Sequence, residues 1–354
     1  MNPTIDAKST SAPKRRSCLG CLGRAAIGIA ILLAIGMVVG AVYQAAASAN
    51  DAKKYPPPGK LYDVGDYRLH LYCTGEGSPT VVLEAGAASP ALVWYLVQEK
   101  VASFTRVCSY DRPGFGWSEP ASGPLSTEQV AATLHQLLVN ANVPGPYILV
   151  GHSDGGVYVR SYAQQYPSEV TGMVLVDSSH ESQNLRFPPA FLKFAEQQEA
   201  TMKLFQLVSP FGVLRATKIL NLLMPESPLP AEVEAAFWAT MNRTPYCRAM
   251  NDEMTASAEM LSRPEGPASL GDMPLIVLSA NDSLTQTPET VVTAMGRDTF
   301  EKMVQVSQEL QQELAGLSTQ GKQIIVEDSG HYIQWDQPGV VIDAILTVVG
   351  QVRD

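Results

Sequence analysis

Gly151-His152-Ser153-Asp154-Gly155-Gly156 follows directly on the apolar run Tyr147-Ile148-Leu149-Val150. A serine framed as G-x-S-x-G between a strand and a helix sits on a turn so tight that its Oγ is lifted clear of the sheet as a nucleophile. Gly151 and Gly155 stand where a Cβ would strike neighbouring backbone. The helix behind the serine aims free N–H groups and the positive end of its dipole at developing negative charge. The chemistry predicted is attack of Ser153 on an acyl carbonyl, with the N–H of Asp154 as one oxyanion donor. A serine lying idle in a glycine-rich turn would look the same locally, so the partners decide.

At such turns the chain order is serine, acid, histidine. Gln323-Ile-Ile-Val326 is followed by Glu327-Asp-Ser-Gly-His331, which puts His331 on a loop just past a strand, where a general base belongs. Pro274-Leu-Ile-Val-Leu-Ser279 leads to Ala280-Asn281-Asp282, and Asp282 is the acid expected to orient His331. Asp177, at the end of Val170-Thr-Gly-Met-Val-Leu-Val176, is its rival. The second oxyanion donor is expected after Thr80-Val-Val-Leu-Glu84, in Ala85-Gly-Ala-Ala-Ser89: the N–H of Ala87, with Gly86 allowing close approach to substrate. His152 is expected beneath the turn. His180, at the mouth of the site, is a candidate substrate contact. The carboxylate of Asp154 either rests on the helix dipole or faces the pocket, where it would favour a cationic substrate.

These side chains need a scaffold. Short apolar runs alternate with helical stretches, the signature of a mostly parallel sheet built from strand–helix units. The strand pattern stops between Asp177 and Pro274. Residues 180–270 are rich in Phe, Leu, Met, Ala and Glu, with prolines at 188, 189, 210, 225, 228 and 230, and read as a helical insertion.

Taken together, Val82-Leu-Glu-Ala-Gly86, Ser109-Tyr-Asp-Arg-Pro-Gly-Phe-Gly-Trp-Ser118, the Ser153 turn and the Asp282 and His331 loops resemble the α/β-hydrolase superfamily over residues 60–350. The resemblance implies an α/β-hydrolase fold: a mostly parallel central sheet flanked by helices, with the insertion as a cap roofing an apolar channel. It implies a serine hydrolase of carboxylic esters with an apolar portion. Amide, lactone or C–C cleavage, perhydrolysis, and a non-catalytic binding module are the alternatives. The Asp111–Ser118 stretch also looks like that of epoxide hydrolases and haloalkane dehalogenases, which carry Asp where this chain has Ser153. In the implied strand order Cys73 and Cys108 lie on neighbouring strands, where a disulfide is plausible outside the cytoplasm.

The net charge is −10, and residues 1–24 hold five basic side chains against one acid, so the body is acidic and lacks a basic stripe for nucleic acid. No phosphate loop or metal-spaced histidine cluster is present, and neither cofactor nor metal is expected. Ala25–Val42 is an uncharged run of 18 apolar and small residues, long enough to span a bilayer. The expected organisation is a basic cytoplasmic tail (1–24), a transmembrane signal anchor (25–48), a proline-rich linker (49–59) and an extracytoplasmic catalytic domain (60–354). Ala47-Ser-Ala49 offers the alternative of a cleaved signal and a secreted domain. The basic amphipathic stretch 203–224 could either roof the site or lie on lipid. The oligomeric state is not legible.

Overall fold

The computed structural model describes residues 18–222, 224–281 and 289–353. One sheet of eight strands organises the chain: β1 (Lys60–Asp63), β2 (Arg68–Thr74), β3 (Thr80–Glu84), β4 (Val107–Tyr110), β5 (Tyr147–His152), β6 (Val170–Val176), β7 (Leu275–Ala280) and β8 (Gly321–Val326). Their spatial order is β1-β2-β4-β3-β5-β6-β7-β8. Among the described residues only the β1–β2 and β2–β4 pairs are antiparallel. β3 and β5 are buried at every residue, because helices cover both faces of the sheet. Their continuous apolar runs, without alternation, are the sequence trace of that burial.

Helix α1 spans Cys18–Lys54, α2 Tyr95–Val101, α3 Thr127–Asn140 and α4 Asp154–Gln165. Apolar side chains of β3 and β5 interlock on one face with α2 and the C-terminal helix Pro338–Arg353. The other face packs under α3 and α4. Between β6 and β7 lie α5 (Gln183–Arg186), α6 (Pro189–Val208), α7 (Val213–Thr217), α8 (Ala231–Met241) and α9 (Thr244–Met260), the insertion expected at 180–270.

Helix α1 is long and apolar enough to cross a membrane, with a mean hydropathy of 2.7 over its most apolar window. It continues to Lys54, so much of the stretch expected as linker is helical. Polar contacts with the cap hold this end: the Gln44 amide donates to Asn242 O at 2.7 Å, and Arg215 pairs with Asp51 at 2.5 Å.

Cys73 and Cys108 face each other in the β2–β4 register and are joined by a disulfide. The bond closes a loop across 35 residues. Its removal in Cys73→Ser/Cys108→Ser is expected to cost about 3 kcal/mol, read as a lowered denaturation midpoint.

Candidate active site

Ser153 stands between β5 and α4 with φ 52° and ψ −127°. A Cβ on Gly151 would lie 2.6 Å from Gly155 O, and one on Gly155 would lie 2.5 Å from Ala85 O. Only glycine lets the turn close this tightly against β3, and the closure forces Ser153 into a conformation that side chains rarely adopt.

The Ser153 hydroxyl is 3.0 Å from His331 Nε2, and His331 Nδ1 is 2.6 Å from Asp177 Oδ2. A carboxylate only accepts, so Nδ1 carries the proton and donates it to Asp177, leaving the Nε2 lone pair for the Ser153 O–H. Asp177 is itself fixed: Oδ1 accepts from Ala280 N–H at 3.1 Å, and its N–H donates to Leu278 O at 2.7 Å. It sits at φ 40°, directly after β6. Burial works to lower the pKa of His331, but the hydrogen bond and charge of Asp177, helped by Asp154, outweigh it and raise the pKa above the ordinary value.

Asp282, the acid expected from the sequence, lies outside the described residues. The single proton of Nδ1 is taken by Asp177. Asp177 stands at the end of β6, the strand beside β5 and its serine turn, and its carboxylate meets the imidazole there.

His152 lies beneath the turn, where it was expected. Its Nε2–H donates to His331 O at 2.9 Å, bracing the histidine loop from below. Burial holds its pKa well below the usual histidine range, so it stays neutral. A Cβ on Gly86 would meet His152 Nδ1 at 2.8 Å and Ser153 Cβ at 3.0 Å, which brings the loop after β3 against Ser153. His180 is buried. Its Nδ1 accepts from Ser182 N–H at 3.1 Å, and its Nε2 is 3.6 Å from Glu313, so both nitrogens face those residues. The Asp154 carboxylate is buried too, accepting at 2.6 Å from the hydroxyls of Ser179 and of Ser257 on α9. With both oxygens so engaged, it braces the first turn of α4 against the cap.

Sequence reading assigned no role to the group that shapes the loop after β3. Arg112 donates from Nη1 to Glu84 Oε1 and Ala85 O, and from Nη2 to Gly86 O, each at 2.7 Å. Its Nε–H donates to Glu253 Oε1 on α9, and Glu253 Oε2 accepts from Ala88 N–H, both at 2.6 Å. In a trans peptide the N–H points opposite the C=O, so drawing the Gly86 carbonyl onto Arg112 turns the Ala87 N–H the other way. The signal was the Arg in Asp111-Arg-Pro-Gly, but its partner on α9 lies 141 residues away in sequence. Burial pushes the Glu84 carboxyl up to about 7 against the pull of Arg112. Arg112→Ala would leave the buried Glu84 and the half-buried Glu253 without their cation, at a cost of about 3–5 kcal/mol measurable by denaturant titration. Asp111 beside it is occupied structurally, accepting from Ala91 N–H at 2.7 Å and Trp117 N–H at 3.1 Å and pairing with His70 at 2.8 Å.

The family model described as "Alpha/beta hydrolase family" matches residues 81–344, and the chain belongs to that family. Among curated proteins it is 26% identical over 295 residues to an AB hydrolase superfamily protein of Gibberella zeae, covering 78% of this chain and 87% of that one. An uncharacterized protein of Schizosaccharomyces pombe is 38% identical over 151 residues, which are 34% of this chain and 28% of that protein. Several curated relatives are thus matched over less than half of their length. A putative lipase of Acinetobacter baumannii superposes with a TM-score of 0.61 at 22% identity, covering 88% of this chain and 96% of that one. A thermophilic esterase of Thermogutta terrifontis gives 0.58 at 19%, covering 81% and 95%. These two likenesses speak to the fold.

Proposed function

We propose that this protein is a membrane-anchored serine hydrolase of carboxylic esters with an apolar portion. The observation that carries the reading is the line Ser153 Oγ, His331, Asp177, at 3.0 and 2.6 Å. Ser153 attacks the acyl carbonyl while His331 Nε2 takes its proton, and Asp177 steadies the imidazolium. The N–H groups of Ala87 and Asp154 receive the oxyanion. Collapse of the tetrahedral intermediate passes the proton to the leaving alcohol, and water then releases the acyl group by the same steps. A Shewanella pimeloyl-[acyl-carrier protein] methyl ester esterase, 36% identical over 112 residues, favours an ester among the acyl compounds. We place α1 as an uncleaved anchor with the catalytic domain outside the cytoplasm. The Cys73–Cys108 bond supports an oxidising compartment. Cleavage after Ala49 would discard Gln44, which is buried against the cap.

Two measurements test the reading. Incubating the full-length protein with a fluorophosphonate should modify Ser153 alone, as located by peptide mass mapping; an unmodified Ser153 in folded protein would return the chain to the binding-module alternative. The base must be neutral to act, so a raised His331 pKa predicts that kcat/KM falls on acidification with a midpoint above the ordinary histidine value of 6.5.

A further inference from the structure

The cap carries apolar side chains on two faces. On α6, Met202 and Phe205 are buried, while Leu204 and Leu207 are 55% and 68% exposed. Just beyond, Leu214 and Leu220 are buried, while Val213 and Leu222 are 43% and 81% exposed. Four of the nine large apolar residues exposed outside α1, among the described residues, therefore fall between 204 and 222. Core packing accounts for one face of this stretch and leaves the other bare.

The turn in the middle of this stretch lies where the apolar run of α1 ends. The backbone around Gly212 crosses α1 closely: a Cβ on Gly212 would meet Tyr43 at 2.7 Å and Gly40 O at 3.4 Å. Gly40 is two residues short of the end of the run at Val42, about 3 Å along a helix axis. Gln44, the next turn's buried polar side chain, already bonds to the cap. The turn Ser209–Phe211 thus stands level with the last turn of the apolar run, and Leu204, Leu207 and Val213 leave from elements adjoining it. Lys218, also exposed, borders the patch. The same stretch leads to the site. The hydroxyl of Tyr332, next to His331, donates to Met224 Sδ at 3.9 Å, two residues beyond Leu222.

We infer that Leu204, Leu207, Val213 and Leu222 are seated in the lipid surface that α1 enters, and that the substrate is an amphiphilic acyl ester reaching Ser153 from the bilayer. The surface rests on reading α1 as an anchor, and the substrate on the hydrolase reading above. A second copy of the chain is the other conceivable cover; continuity of the patch with the apolar run of α1 selects lipid.

Full-length protein in phosphatidylcholine–phosphatidylglycerol nanodiscs provides the test. An environment-sensitive fluorophore is attached at Leu207→Cys in a Cys18→Ser/Cys21→Ser background, Cys247 being buried. Its emission should shift to the blue and be quenched by nitroxide-bearing lipid, whereas a label at Gln136→Cys on α3 should stay water-exposed. A label at 207 open to water, or shielded without lipid quenching, overturns the lipid seat, the latter in favour of a second copy. In a second arm, Leu204→Glu/Leu207→Glu should lower turnover of a long-chain ester embedded in the nanodisc by roughly tenfold or more. Turnover of water-soluble p-nitrophenyl acetate should stay within roughly twofold, which also certifies the fold. Equal turnover of the embedded ester by variant and wild type overturns delivery from the bilayer. Wild-type protein that cleaves neither ester and takes no fluorophosphonate sinks the hydrolase reading, while the fluorophore still decides the surface.

Discussion

Ser153→Ala is expected to lower kcat on a p-nitrophenyl ester by about 10⁵–10⁶-fold and to abolish fluorophosphonate labelling. On the proposed mechanism the loss is this large because removing the hydroxyl removes the covalent path and leaves His331 with no proton to take. Donors that steady the oxyanion would still favour direct attack by water, so a residual rate of about 10³–10⁴ over the uncatalysed reaction is expected. Stability should change little. The bond from Ser153 Oγ goes to His331, and no core packing depends on it. Alanine at φ 52° meets the same backbone restriction as serine. Kinetics with a denaturation curve on the same sample separate the chemical loss from misfolding. A variant that keeps a tenth of wild-type activity would remove Ser153 from the reaction.

Asp177→Asn is expected to lower kcat by about 10³–10⁴-fold. The asparagine amide turns a donor toward His331 Nδ1, which favours the tautomer whose Nε2 carries the proton and cannot accept from Ser153. The negative charge that raises the His331 pKa is lost as well, so the acid limb of the residual activity should move to lower pH. Asp282→Asn should leave both rate and acid limb nearly unchanged. The opposite pattern, with Asp282→Asn damaging and Asp177→Asn mild, would move the acid to the loop after β7. The comparison needs only pH–rate profiles of two variants.

The different legibility of the partners follows from the distance over which each is specified. Ser153 is marked by residues within three positions of it, because the steric demand of the turn is local: Gly151 and Gly155 are set by contacts with backbone no more than a strand away. His331 is marked by its place after the last strand. The acid was ambiguous, because Asp177 and Asp282 both follow apolar strands and sequence does not say which carboxylate reaches the histidine. The structure brings Asp177, which leaves β6 at φ 40°, within 2.6 Å of His331 Nδ1. Likewise the Glu84–Arg112–Glu253 group joins β3, the loop after β4 and the cap, and no periodicity or spacing announces an ion pair across the fold.

By itself the sequence determined the fold class, the serine on its turn and the histidine on its loop, the helical insertion and the apolar N-terminal run. Each of these is written in local periodicity or in glycine positions that short-range sterics impose. Only tertiary structure showed that the Asp177 carboxylate meets His331, that Cys73 and Cys108 are paired, and that Asp154 and His180 are committed to serine and glutamate partners. It also decided which side chains of the 203–224 stretch are bare and that the turn around Gly212 stands beside the end of the apolar run of α1. The reason is physical. Amphipathicity tells that a helix has two faces, but when both are apolar only the packed neighbours show which one the core has already taken.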